Sequence, residues 1–106
     1  MNMKESVKNY LIEQLASDDP ALLAEVYGEF LRGFQKNLSA AHDALNTGDF
    51  AALTHAAHTL KGDAAIVGEN RLRELALNLE QKAKLNDSAG CRPVFAELEK
   101  EFSVCR

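Results

Sequence analysis

A histidine with a lysine and a glycine close behind it carries the clearest chemistry in this chain. The segment is Ala57-His58-Thr59-Leu60-Lys61-Gly62. A neutral imidazole is a nucleophile that can form a covalent intermediate. In a helix, Lys61 lies one turn from His58 and brings a positive charge, which suits a dianionic phosphoryl group. These residue types at this spacing indicate an imidazole that accepts phosphate.

The helical face around His58 is made of small side chains. At about 100° per residue, the residues that cluster on this face are Ala51, His55, His58, Gly62 and Ala65. A solvated helix face normally carries Glu, Lys, Gln and Arg, and a glycine in a helix interior costs about 1 kcal/mol relative to alanine. We therefore expect a partner to dock over His58, with His55, Gly62 and Ala65 in the docking surface.

The elements that position this face are predicted to be helices throughout. Helix-favouring residues dominate, and there are only two prolines. Apolar residues recur at spacings of three and four, which predicts helices. The first covers about residues 6–16, and the second runs from Pro20 to near Asn46. The third runs from a cap at Asp49 to about Val67, and the fourth begins after a cap at Asn70. Residues 86–90 are predicted to form a loop before a fifth helix, with Pro93 in its first turn.

Candidate caps and glycines separate these helices. Asp19 and Asp49 are suitable N-caps for the second and third helices. Gly48 and Gly68 suit the left-handed position that ends a helix. The apolar residues on one side of each helix form a continuous stripe, here called its apolar seam. Long apolar seams joined by short connections favour helices that pack antiparallel to their neighbours. The predicted fold is all-α, a single domain over residues 1–106 that forms an up-and-down antiparallel four-helix bundle with a short extra N-terminal helix.

The apolar seams also predict the core. Each seam places its large residues on one side of its helix. The first helix is expected to bury Val7, Tyr10, Leu11 and Leu15. The core of the bundle is expected to include Tyr27, Phe30, Phe34, Leu53, Leu60, Leu72, Leu79 and Leu98.

Composition and charge argue against several function classes. The chain has 106 residues and a formal net charge of -4, from 12 basic and 16 acidic residues, which argues against nucleic acid as the main partner. No stretch of about 18 apolar residues occurs, so no membrane span is expected. The two cysteines, Cys91 and Cys105, are expected to be reduced thiols, which favours a cytoplasmic location.

The histidine segment also resembles a known family. His58-Thr59-Leu60-Lys61-Gly62, followed by Gly68, is similar to the signature of histidine phosphotransfer (HPt) domains, as are the alanine pairs on either side of it. Asp19-Pro20-Ala21-Leu22-Leu23 looks like the start of the family's first long helix, and Gly48-Asp49-Phe50 like its usual turn. The resemblance covers nearly the whole chain. Asp63 departs from it, because many members have a small residue such as serine there.

The resemblance implies a role for each matched residue. His58 would be the phosphoacceptor, Lys61 would contact the phosphoryl oxygens, and Gly62 and Ala65 would keep the approach open. In this family a Gln or Glu on the following helix often accepts a hydrogen bond from the imidazole, and Glu80 or its neighbour Gln81 stands at that position. Such an acceptor fixes the tautomer and leaves the outer nitrogen free to attack.

The resemblance also implies partners. The phosphoryl group would come from an aspartate of a response-regulator receiver domain, in a relay with a hybrid sensor histidine kinase, and would pass to another receiver. The chain has neither GxxxxGKS/T nor GxGxxG and no obvious carboxylate cluster for Mg²⁺. We therefore expect a monomeric phosphocarrier and not an enzyme with a nucleotide site. It would have no cofactor of its own, and Mg²⁺ would come with the receiver.

Two other functions fit part of the sequence. His55 and His58 lie one turn apart and could share a metal ion, but both face outward, and no third His or Cys is near in sequence. A non-catalytic helical protein-interaction module explains the apolar seams but not the small-residue face or Lys61. Metal titration of a His55 variant tests the first alternative. Failure of every phosphodonor to label the protein would favour the second.

Overall fold

Five helices, joined by short connections, make up the chain. The computed structural model describes residues 1–106 and contains α1 (Glu5–Leu15), α2 (Pro20–Thr47), α3 (Phe50–Val67), α4 (Asn70–Lys84) and α5 (Ser88–Ser103), with no strand. The prediction of an all-α bundle of four long helices, preceded by a short helix, is confirmed. None of these helices combines the length and the apolar character that a membrane crossing needs.

Acidic caps and glycines set the ends of α2 and α3. The side chain of Asp19 accepts a hydrogen bond from a first-turn amide of α2 at 3.1 Å, and Asp49 caps α3 in the same way at 3.0 Å. Gly48 and Gly68 adopt φ values of 71° and 75° and end the two helices. This left-handed conformation carries no steric penalty in glycine. The predicted caps and stops of both helices are confirmed.

The core lies between the four long helices. α3 packs against α2 and α4, and α5 packs against α4 and α2, in a body of 43 × 19 × 18 Å. Tilted aromatic rings form a row along α2, and the last of them, Phe34, meets Phe102 of α5 with ring centroids 4.8 Å apart. Every residue predicted for the bundle core is buried: Tyr27, Phe30, Phe34, Leu53, Leu60, Leu72, Leu79 and Leu98.

The first helix buries fewer residues than its apolar pattern predicts. Val7 and Leu11 are buried, but Tyr10 is 37% exposed, and Leu15 is half-buried. The ring of Tyr10 lies across the turn at Gly68, where an added Cβ would come within 2.7 Å of its Cδ2 atom. The prediction of a buried Tyr10 is therefore wrong, because the ring covers a turn at the surface instead of entering the core.

α4 begins at a buried acidic residue, and not at the predicted asparagine cap. Glu69 occupies the N-cap position, and Asn70 is the first residue of the helix. The fully buried Glu69 side chain makes no cap but accepts hydrogen bonds from the hydroxyl of Tyr27 and from Nζ of Lys4, the latter at 2.8 Å. A buried carboxylate needs such partners because its charge is costly to desolvate. These contacts fasten the N-terminal segment to the α3–α4 turn.

α5 begins earlier than predicted. Residues 88–90, which were expected to lie in a loop, belong to the helix, since Asp87 caps it by accepting a hydrogen bond from the Gly90 amide at 2.9 Å. Pro93 therefore lies in the second turn and not in the first. Its missing N–H removes a hydrogen bond to the carbonyl of Ala89. That loss is tolerated because Ala89 is exposed and its carbonyl can bond to water.

Candidate functional site

His58 lies in the middle of α3 with its side chain pointing out of the bundle. The imidazole is 65% exposed, and its Nδ1 atom donates a hydrogen bond to Oε2 of Glu80 on α4, at 2.9 Å. A carboxylate can only accept, so Nδ1 carries the proton in this contact. In the neutral ring the other nitrogen, Nε2, is then unprotonated, and its lone pair is available for attack.

Glu80 lies buried beside the imidazole, with two lysine ammonium groups near its carboxylate. Its side chain is 5% exposed, and Oε1 accepts a hydrogen bond from Nζ of Lys61 at 2.7 Å. Nζ of Lys84, one turn further along α4, lies 3.8 Å from Oε2. Burial acts to raise the pKa of Glu80, but the hydrogen bonds from Lys61 and His58 outweigh burial and lower this pKa. Glu80 is therefore a charged carboxylate at neutral pH.

The face predicted around His58 is open to solvent. Ala51, His55, Gly62 and Ala65 are all exposed on α3. A Cβ atom placed on Gly62 would meet nothing within 4 Å, so no contact inside the domain requires glycine there. Glycine still weakens the helix at this position. Gly62 thus leaves the surface open one turn after the imidazole.

The structure brings three of the predicted site residues into one hydrogen-bonded group, namely His58, Lys61 and Glu80. Of the two candidates on α4, Glu80 contacts the imidazole, whereas Gln81 is exposed. Adjacent helical residues point about 100° apart, so only one of the two can face α3. His55 is exposed one turn before His58 and lies outside this group.

Lys84, whose ammonium pairs with Glu80 at 3.8 Å, was not predicted from the sequence. A lysine in the last turn of a helix is usually explained by its favourable interaction with the helix dipole. The signal that could have identified the contact is its spacing of four residues from Glu80, which places both on one side of α4. Asp63, which departs from the family pattern, lies elsewhere and accepts a hydrogen bond from Asn37 of α2 at 3.1 Å.

The donor set at this site suits transfer of an anionic group. A nucleophilic nitrogen, a buried carboxylate and two ammonium groups lie together. Nowhere does the structure bring together three His, Cys, Asp or Glu side chains that could hold a metal ion. The pair His55 and His58 therefore lacks the further ligands that a shared metal would need.

The chain is similar to one known protein family and to a solved structure. The Hpt domain family model matches residues 25–104, which include all of α3 and α4. The chain is also similar to the crystal structure of histidine-containing phosphotransfer protein B (HptB) from Pseudomonas aeruginosa PAO1, with a TM-score of 0.83, 25% sequence identity, and coverage of 99% of this chain and 88% of that one. A search of curated proteins found no match. The chain therefore belongs to the Hpt domain family and is a histidine phosphotransfer intermediate of phosphorelays.

Proposed function

We propose that His58 is the residue that carries the phosphoryl group between receiver domains. The observation that supports this most directly is the contact between Nδ1 and the buried Glu80, which leaves Nε2 free on an exposed face. The open space at Gly62 lets a receiver approach Nε2 closely. His55 and Ala65 lie on the same exposed face and complete the docking surface.

In the proposed reaction, Nε2 of His58 attacks the phosphorus of an aspartyl phosphate on the receiver. The N–P bond forms as the P–O bond to the aspartate breaks, and the aspartate leaves with the bonding electron pair as a carboxylate. Catalysis of such transfers depends on positioning and on neutralising the phosphoryl oxygens. The reverse sequence passes the group to the next receiver.

Glu80 and Lys61 have complementary roles in this step. The imidazole keeps its Nδ1 proton while Nε2 bonds to phosphorus, so the ring becomes positively charged. The carboxylate of Glu80, 2.9 Å from Nδ1, stabilises that charge. Lys61, which is paired with Glu80 at rest, is then free to turn toward the phosphoryl oxygens. Because its side chain is 27% exposed, Lys61 can reach the surface where the phosphoryl group arrives.

The remaining machinery would come from the partner. We propose that a receiver supplies Mg²⁺, and that this chain acts as a monomeric phosphocarrier with no nucleotide site. Its partners would be response-regulator receiver domains, including that of a hybrid sensor histidine kinase. The single domain over residues 1–106 would work in the cytoplasm, where the buried thiols of Cys91 and Cys105 stay reduced.

The test is transfer of label from purified receivers of the same organism, phosphorylated beforehand and mixed with this chain and Mg²⁺. We expect label to move to the chain, and then to a second receiver, as an acid-labile and base-stable adduct typical of a phosphorus–nitrogen bond. ATP and Mg²⁺ alone should give no label. Stable binding to a receiver without any transfer would favour the interaction-module alternative, and labelling from ATP alone would contradict a carrier without a nucleotide site.

A further inference from the structure

The charge balance around Glu80 changes during the proposed reaction. At rest the buried carboxylate has the ammonium of Lys61 at 2.7 Å and Nδ1 of His58 at 2.9 Å. When Lys61 turns toward the phosphoryl oxygens, Glu80 loses its nearest cation. A buried carboxylate is costly to leave without a positively charged partner. A second positive charge beside Glu80 would keep the carboxylate paired while the imidazole gains its own charge.

Lys84 is the residue placed to supply that charge. Its Nζ atom lies 3.8 Å from Oε2 of Glu80, the same oxygen that accepts the hydrogen bond from His58. It approaches from α4 itself, one turn beyond Glu80, whereas Lys61 approaches from α3. Departure of Lys61 therefore leaves the contact with Lys84 intact. The Lys84 side chain is 62% exposed, so it can adjust its position without disturbing the core.

We propose that Lys84 is a positioning residue for phosphotransfer, which holds Glu80 charged and directed at Nδ1 of His58 while Lys61 moves to the phosphoryl group. Lys84 thus pairs with the carboxylate of Glu80, and Lys61 pairs with the phosphoryl group. This inference rests on the proposed role of His58. Lys84 itself need not touch the phosphoryl group or the receiver.

Two simpler roles for Lys84 make different predictions. A lysine in the last turn of α4 stabilises the helix dipole, but Lys82 lies in the same turn and would do so equally. Two residues of separation place Lys82 about 200° around the helix, away from Glu80. A surface lysine can also attract an acidic partner, and that effect would appear only when a receiver is the phosphodonor.

The experiment compares Lys84→Ala with the matched control Lys82→Ala and with Lys84→Arg, which keeps the charge. Each variant is labelled by two donors, a phosphorylated receiver and phosphoramidate, a small donor that needs no docking surface. For Lys84→Ala we expect labelling by both donors to slow about twofold to fivefold, as loss of one partly exposed ion pair would give. The receiver concentration at half-maximal rate should not change. Lys84→Arg should recover most of the rate, and Lys82→Ala should match the original chain.

Several outcomes would overturn the proposal. Slowing with the receiver alone would show that Lys84 acts in docking, and equal slowing in Lys82→Ala would show a general effect of charge. Unchanged labelling by both donors would remove any role for Lys84. His58→Gln is run in parallel, because label that persists in this variant would contradict the proposed role of His58 whatever the lysine variants do. Circular dichroism confirms that each variant is folded.

Discussion

The carboxylate of Glu80 lies 2.9 Å from Nδ1 of His58, although the two residues are 22 positions apart and belong to different helices. This contact makes α4 part of the site that α3 carries. It sets which nitrogen of the imidazole faces the solvent, and it places a buried negative charge where the ring becomes positive. The reactivity of His58 should therefore depend on a buried residue of the neighbouring helix.

Replacing Glu80 tests that dependence. We expect Glu80→Ala to slow labelling of the chain about tenfold, since a group that orients a reactive imidazole tunes its reactivity without creating it. Glu80→Gln should be less affected, because its amide oxygen can still accept from Nδ1 although the charge is lost. Gln81→Ala is the matched control, being adjacent but exposed. Equal transfer rates for all three variants in a quench-flow time course would reduce Glu80 to a structural carboxylate.

Lys61 is expected to affect the rate of phosphotransfer more than the stability of the domain. Lys61→Ala should be labelled more slowly from a phosphorylated receiver, because one cation near the phosphoryl oxygens is removed. Its melting temperature should stay close to that of the original chain, since Lys84 still lies 3.8 Å from Glu80. Lys8→Ala, an exposed lysine of α1, serves as the control. A Lys61→Ala variant with a clearly lower melting temperature but a normal rate of phosphotransfer would contradict the proposed role of Lys61.

The two thiols should be unreactive while the domain is folded. Burial, together with the nearby charge of Glu69, raises the pKa of Cys105 to about 11, and burial also raises the pKa of Cys91. The thiolate is the reactive form, so Ellman's reagent at pH 8 should modify neither thiol until urea unfolds the chain. Ser39→Cys, which adds an exposed thiol, is the positive control. Rapid modification of Cys91 or Cys105 in the folded domain would contradict the packing of α5 and of the residues that follow it.

Core packing beneath the site can be tested at Leu60. Its side chain is fully buried on the face of α3 opposite His58. Leu60→Ala should lower the free energy of unfolding by about 2–5 kcal/mol, as truncation of other buried leucines does. Ile66→Ala, on an exposed position of the same helix, should change it by less than about 0.5 kcal/mol. Urea denaturation measures both, and a neutral Leu60→Ala would contradict the bundle core.

Most of the fold could be predicted because apolar spacing reports helix faces directly. Phe34, Leu53 and Leu79 all stand on seams of period three and four, and all are buried. The ends of the helices were less predictable, because several residues near each end could act as the cap. Asp87 begins α5 ahead of Pro93, and Glu69 stands at the start of α4 as a buried partner of Tyr27, which no local pattern indicates.

The site was predictable where one helix carries it and less so where two helices meet. His58, Lys61 and Gly62 lie on α3, so their spacing alone relates them. The choice between Glu80 and Gln81 depends on the rotation of α4 against α3, which only packing determines. The role of Lys84 is hard to predict for the same reason. Its ion pair with Glu80 becomes part of the site only because packing buries Glu80 beside His58.

The position of the phosphoryl group shows whether His58 is the phosphoacceptor. His55 and His58 are both exposed, but only His58 has the contact with Glu80 and the nearby ammonium of Lys61. After labelling from a phosphorylated receiver, mass spectrometry under non-acidic conditions should place the phosphate on His58. His58→Gln should take no label, and His55→Gln should retain most of it. Phosphate found on His55, or on neither histidine, would contradict the assignment of His58 as the phosphoacceptor.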